Sequence, residues 1–174
     1  MITNTHVQTM ARYNCWQNQS LYREADRLGD DERRKERGAF FGSIHRTLSH
    51  LLWGDMMWMH RFSGSPLPEN LTIGESGELV ADWQDLKARR SDMDAHILKW
   101  ADEVPEDVAD GDLTWFSSAL GREVSKPKGF LITHFFNHQT HHRGQIHAMI
   151  TAAGGKPDDT DLPFMPDDIE HRTL

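Results

Sequence analysis

Apolar residues recur along this chain at intervals of three and four, and the recurrences predict four long helices. Val7, Met10, Tyr13 or Asn14, Leu21, Ala25 and Leu28 place the first at about 4–28, and GDDE at 29–32 breaks it. From Phe40 to about Phe62 a more apolar helix carries Ile44, Leu48, Leu51, Leu52, Met56 and Met59. SGSPLPEN at 63–70 ends it with glycine and two prolines. Trp83, Leu86, Arg90, Met93, Ile97 and Trp100 follow a 3-4-3-4-3 spacing, a third helix at about 79–101. A fourth takes Pro127 in its first turn with Ser125 as its cap. It runs to about Ala153, where Gly154, Gly155 and Pro157 stop it.

Ahead of that last helix, LTWFSS and REVS flank a Leu-Gly turn, which predicts a small hairpin or an ordered loop. Four helices of this length in 174 residues predict an all-α fold, a four-helix bundle. The second and third connections are long, so simple up-and-down packing is not dictated. The chain reads as one domain, 1–174, with no internal repeat. Its end, 156–174, is acidic and broken by prolines, yet Leu162, Phe164 and Met165 equip it to pack back on the body.

Hydrophobic content is 37%, with six Trp and eight Phe as bulky anchors; Trp53, Trp58, Trp83 and Trp100 read as core. Net charge is −8, and the one basic run, DERRKER at 31–37, mixes signs and reads as a solvated helix start. Nucleic acid is therefore excluded as the expected partner, since its binding is driven by concentrated positive charge. The single cysteine, Cys15, leaves no disulfide framework and no cysteine-based zinc site, and beside Trp16 it reads as packed rather than nucleophilic. The N-terminus lacks the apolar run of a signal peptide, and no apolar stretch reaches the roughly 18 residues of a membrane span. The expected compartment is the cytoplasm.

Candidate chemistry concentrates in HFFNHQTHHRGQIH at 134–147, five of the eleven histidines. With about 100° per residue, His138 and His142 share a helix face one turn apart, a two-ligand geometry for a transition metal. His134 lies one turn earlier on that side, His141 about 60° off, and His147 about 180° round. Position 139 is Gln, so this is not the HExxH of metalloproteases. A third ligand has to come from another helix, and the second offers His45, His50 and His60. Gly54, one turn past His50, leaves room for an ion or ligand and favours His50, while His45 is about 140° round from it.

FFGSIHRTLSHLLWGDMMWMHRF, HFFNHQTHHRGQIHAMITAAG and the following TDLPFMP resemble the DinB-like family, the DinB/YfiT-like metalloenzymes. The similarity extends over essentially the whole chain, including YNCWQNQSLY in the first helix. It implies a four-helix bundle of up-down-down-up topology. It also implies a metal held by one histidine of the second helix and an HxxxH pair of the last, here His50, His138 and His142. His134 and His141 are left either as groups that support the ligands or touch substrate, or as surface histidines. Asp55 and Arg143 recur in the resemblance and read as structural hydrogen-bonding or ion-pairing groups between helices.

Three neutral imidazoles and an open position suit Zn²⁺ or Ni²⁺, with Fe²⁺ or Mn²⁺ as further candidates. The family resemblance implies enzymes that use a low-molecular-weight thiol as cosubstrate for S-transfer or isomerisation; metal-assisted hydrolysis is the other enzymatic reading. A non-catalytic metal-binding stress-response or accessory protein is the alternative. A fourth protein ligand, such as His134 or a carboxylate of 158–161, would favour that alternative. No general acid or base is legible. Relatives commonly pair, so a homodimer is expected, with an unidentified small molecule as substrate and no membrane partner.

Overall fold

The computed structural model describes residues 2–69, 72–118 and 120–169. It is mostly helical with one small two-stranded sheet: α1 Asn4–Arg27, the short α2 Asp30–Arg34, α3 Ile44–Ser63, α4 Trp83–Glu103, β1 Asp112–Ser117, β2 Arg122–Pro127 and α5 Lys128–Ala152. Among the described residues, no helix is long and apolar enough to cross a membrane.

DERRKER does contribute a helix, the short α2, but not a wholly solvated one: its Arg33 is buried with its guanidinium over the Trp83 ring. Three boundaries differ from the expectation, each because a local polar group decides it. α3 starts at Ile44 rather than Phe40, because Gly42 turns the chain at φ 81° and Ser43 caps the helix by accepting from the Arg46 amide. α4 starts at Trp83 rather than 79, capped by Asp82. Leu79 and Val80 remain buried just before it, where the Val80 amide donates to Ser49 Oγ. The Ser125 cap is absent: Ser125 lies in β2 and accepts from Thr114 Oγ1 across the hairpin. Pro127 closes β2, with no side-chain cap on α5.

α1 packs on α4 and α5, and α3 packs on the same two. Polar and aromatic pairs join the long helices. Asp55 meets Arg90 and Ser63 meets His96 between α3 and α4. Asn14 meets Arg143 and His6 meets Phe136 between α1 and α5. Asn18 meets Asp94, and Asp26 meets Trp83, between α1 and α4.

The core has two apolar ends. One is built on Leu21, Ile44, Leu48, Leu52, Leu86 and Ile150, the other on Val7, Met59, Ile97, Trp100, Ile132 and Phe135. Mid-length, every long helix turns polar residues inward: Asn14 and Asn18, Asp55, Arg90 and Asp94, Gln139 and Arg143, all buried. Arg90 is wholly buried between two carboxylates, Nη1 to Asp55 Oδ2 at 2.7 Å and Nη2 to Asp94 Oδ1 at 2.8 Å. Burial works against its charge, but Asp94 and Asp55 together outweigh that and hold the guanidinium above its ordinary value. Burial pushes the Asp94 carboxyl up to about 6, against the opposing pull of Arg90 and Asn18.

The chain after α5 lies along α1. Lys156 N donates to Glu24, Asp158 N to Ser20 Oγ, Gln17 to the Asp159 carbonyl and Tyr13 to the Thr160 carbonyl. Ile169 is fully buried beside Cys15 and Trp16. The last part of the expected tail, 170–174, falls outside the described residues.

Candidate metal centre

Packing of α3 on α5 brings His50, His138 and His142 together. Their candidate ligand atoms all lie within 4.8 Å of one another, and among the described residues no other His, Cys, Asp or Glu completes a cluster of this kind. His50 Nε2 is 3.2 Å from His138 Nε2 and 3.2 Å from His142 Nε2. Two nitrogens bound to one tetrahedral ion at 2.0–2.1 Å would stand about 3.3 Å apart, so the spacing fits a shared cation.

Hydrogen bonds on the far side of the rings decide where the protons are. Ser76 Oγ donates to the Ile73 carbonyl at 2.5 Å, so toward His50 Nδ1, 2.6 Å away, it can only accept. His50 therefore carries its proton on Nδ1 and a bare lone pair on Nε2. His142 Nδ1 likewise faces the Gln145 Oε1 carbonyl at 2.8 Å, an acceptor only, so its Nε2 is bare as well. Two lone pairs thus point at each other across 3.2 Å in a buried site, with no proton between them. Protonation offers little relief: burial, then His142 and His138, holds His50 down to about 3. Burial, then His142, His134 and His141, holds His138 at about 3. Burial also lowers His142, against the raising effect of Gln145.

Phe41 stacks on the His50 ring at 3.9 Å and tilts over His142 at 5.7 Å, which keeps water from that side. Gly54 does not leave space for an ion, as expected, but for the His138 ring: a Cβ there would sit 2.8 Å from His138 Cε1. His138 Nδ1 has no hydrogen-bond partner among the described residues.

The other histidines of the run stay outside the cluster. His134 is exposed, with its ring edge-on to Trp58. His141 is exposed beside His142, and His147 takes no part. Among the second-helix alternatives, His45 Nε2 meets the Val80 carbonyl and His60 Nδ1 the Ser65 carbonyl. Asp55 accepts from Arg90 and Gln139, and Arg143 donates to Asn14, so both act as interhelical hydrogen-bonding groups. Burial lowers Arg143 to about 10. The Asp158 side chain pairs with Arg23 on α1, away from the three histidines. Cys15 is buried.

Trp53 corrects the expectation of four core tryptophans. It is only half-buried, its ring centroid lies 6.0 Å from that of His50, and it lines a cleft of about 940 Å³. Trp58, Trp83 and Trp100 are buried. Sequence reasoning also missed Ser76 and Gln145, the partners that orient two of the imidazoles. Gln145 follows His142 by three positions, a spacing at which helix side chains meet, so that signal was available. Ser76 sits in a polar connection with no periodicity at all.

The model of the DinB family matches residues 1–172. The chain belongs to the DinB family. It is similar to the protein DinB of Bacillus subtilis (strain 168), 28% identical over 148 residues that cover 82% of this chain and 83% of that one. No solved structure matches it at a significant level. Within this DinB-family chain, Ser76→Ala should weaken metal affinity about 10- to 100-fold, the usual effect of losing a group that orients a ligand. A competition titration with a chelating dye checks this, and unchanged affinity would mean that Ser76 does not set the His50 tautomer.

Proposed function

We propose that this DinB-family protein is a metal-dependent enzyme acting on a small molecule, its divalent cation held by Nε2 of His50, His138 and His142. The observation that carries this reading is the pair of bare Nε2 lone pairs of His50 and His142 facing each other at 3.2 Å. Such an arrangement is repulsive when empty and favourable around a cation. Zn²⁺ or Ni²⁺ suits the all-nitrogen donors best. When bound, the cation supplies Lewis acidity at its open position, lowering the pKa of a water or thiol there.

Two features favour turnover over storage. Among the described residues no fourth protein ligand joins the three histidines, and a cleft of about 940 Å³ is lined by Trp53, whose ring stands next to that of His50. Thiol-dependent transfer or isomerisation and metal-assisted hydrolysis are the reactions such a site suits. The chain's own residues orient the imidazoles, through Ser76 and Gln145, and exclude water, through Phe41.

The frame for this site is a four-helix bundle of up-down-down-up direction. Its support is the pairing of α1 and α3 each with α4 and α5, and the order of contacts along them. In α3 and α5, His50 meets His142 while Trp58, further along, meets the earlier His134, so the two helices run oppositely.

Elemental mass spectrometry of tag-free protein tests the metal reading. We expect about one equivalent of zinc or nickel per chain, or its uptake on titration, and no change in His147→Ala. A protein that neither contains nor takes up either metal would sink the enzyme reading with it.

A further inference from the structure

Arg61 stands on α3 eleven residues past His50, and its guanidinium lies against two indoles packed edge to face, 4.5 Å from the Trp58 ring and 5.2 Å from that of Trp115. Cation–π contact holds the guanidinium in place without using its five N–H donors. Among the described residues no carboxylate pairs with it, and burial lowers its pKa with no charged partner opposing. The buried arginines, Arg33, Arg90 and Arg143, all donate to a carbonyl, carboxylate or amide oxygen. Arg61 is half-buried and its N–H donors reach solvent, so they are open to a ligand.

The guanidinium borders two hollows. The smaller, about 380 Å³, also holds Glu103, Asp107 and Asp110, which would repel an anion. The larger is the 940 Å³ cleft, whose walls are mainly aromatic and aliphatic: Trp53, Met57, Trp115, Leu67 and Ile73. Its one carboxylate among the described lining residues, Glu69, is exposed. Trp53, beside His50, and Arg61 both line it. Eleven helical residues span roughly 16 Å along the axis, and an arginine side chain leans back toward the helix start, so the His50 ring and the guanidinium are roughly 10–15 Å apart.

We propose that this cleft binds an elongated small molecule with an apolar body and a terminal oxyanion, carboxylate or phosphate, the oxyanion on Arg61 and the opposite end at the three histidines. The second half of that assignment rests on the metal reading above; the first does not. Arg61 is a bidentate donor held in place by its two indoles, so the anion meets a preorganised fork. The apolar walls supply affinity without direction, and Arg61 sets which end of the ligand faces the metal.

Octanoate and octanol, titrated into metal-stripped protein and followed by tryptophan fluorescence and calorimetry, test the anion site. Octanoate should bind roughly ten- to hundredfold more tightly than octanol, the ordinary effect of a charge-assisted hydrogen bond. The preference should weaken with salt. Arg61→Met, which keeps an apolar stem against the indoles, should abolish the preference and leave octanol affinity unchanged. Mercaptooctanoate should then outbind octanoate in zinc-loaded protein only. A carboxylate preference without any gain from the thiol would sink the metal half and leave the Arg61 site standing. Equal binding of acid and alcohol to the wild type, binding of neither, or a preference that survives in Arg61→Met would overturn the proposal.

Discussion

His50→Ala and His138→Ala should each take bound metal from about one equivalent per chain to under about a tenth, with the fold still helical. Catalytic zinc sites are typically held by three protein ligands, so removing one leaves a two-ligand site open to solvent and chelators. Elemental analysis with far-ultraviolet circular dichroism reads both halves, and a full equivalent retained by either variant would refute the assignment. Acid should do the same to the wild type, since protons compete for the ligand lone pairs. For the metal-free protein the sign follows from His50 and His138, held at about 3 in the fold against 6.5 in the open chain. Their contribution to stability is full above about pH 6.5 and is lost as pH falls toward 3, because the unfolded chain then binds protons that the fold refuses.

Arg90→Met should destabilise the protein by about 3–5 kcal/mol at pH 7, the cost of leaving buried charge without its partner. Asp55 and Asp94 would then face each other across the polar layer with only Gln139 and Asn18 as donors. Replacing the whole group, Asp55→Asn with Arg90→Met and Asp94→Asn, should cost less than the single change, because no unpaired charge remains. Acidification should shrink the deficit of the single variant as its stranded carboxylates take up protons. The Asp94 carboxyl is already raised to about 6 from 3.8, so its ionisation costs stability as pH rises through that range. Urea unfolding at pH 7 and pH 5 measures both effects. A single variant no less stable than the triple one would show that the pairing contributes nothing.

Legibility differed between the two kinds of pattern. Arg90 fell on the apolar rhythm of its helix and is wholly buried there, so periodicity reported its position correctly while composition argued the opposite. In α1 the apolar rhythm broke between Tyr13 and Leu21, because Asn14 and Asn18 occupy the inward face. The break was a buried polar layer and not the end of a helix. Helix starts were misplaced where one capping residue decides: Ser43 and Asp82 cap, whereas Ser125 is held across the hairpin.

His138 and His142 needed only the helical repeat, which places residues four apart on one face whatever else the chain does. The extents of the long helices, the hairpin and the family resemblance were determined by the sequence in the same local sense. The sequence favoured His50 over His45 and His60 through Gly54 and the family resemblance, but its meeting with that pair depends on the packing of α3 on α5, and the nitrogen distances come only from the tertiary structure. The same holds for Ser76, brought under His50 from a short 3-10 turn 26 residues away, and for Arg61, set against Trp58 and the distant Trp115. Contacts between segments far apart in the chain leave no periodic trace, since neither partner's spacing depends on the other. Geometry in three dimensions is what makes them a site.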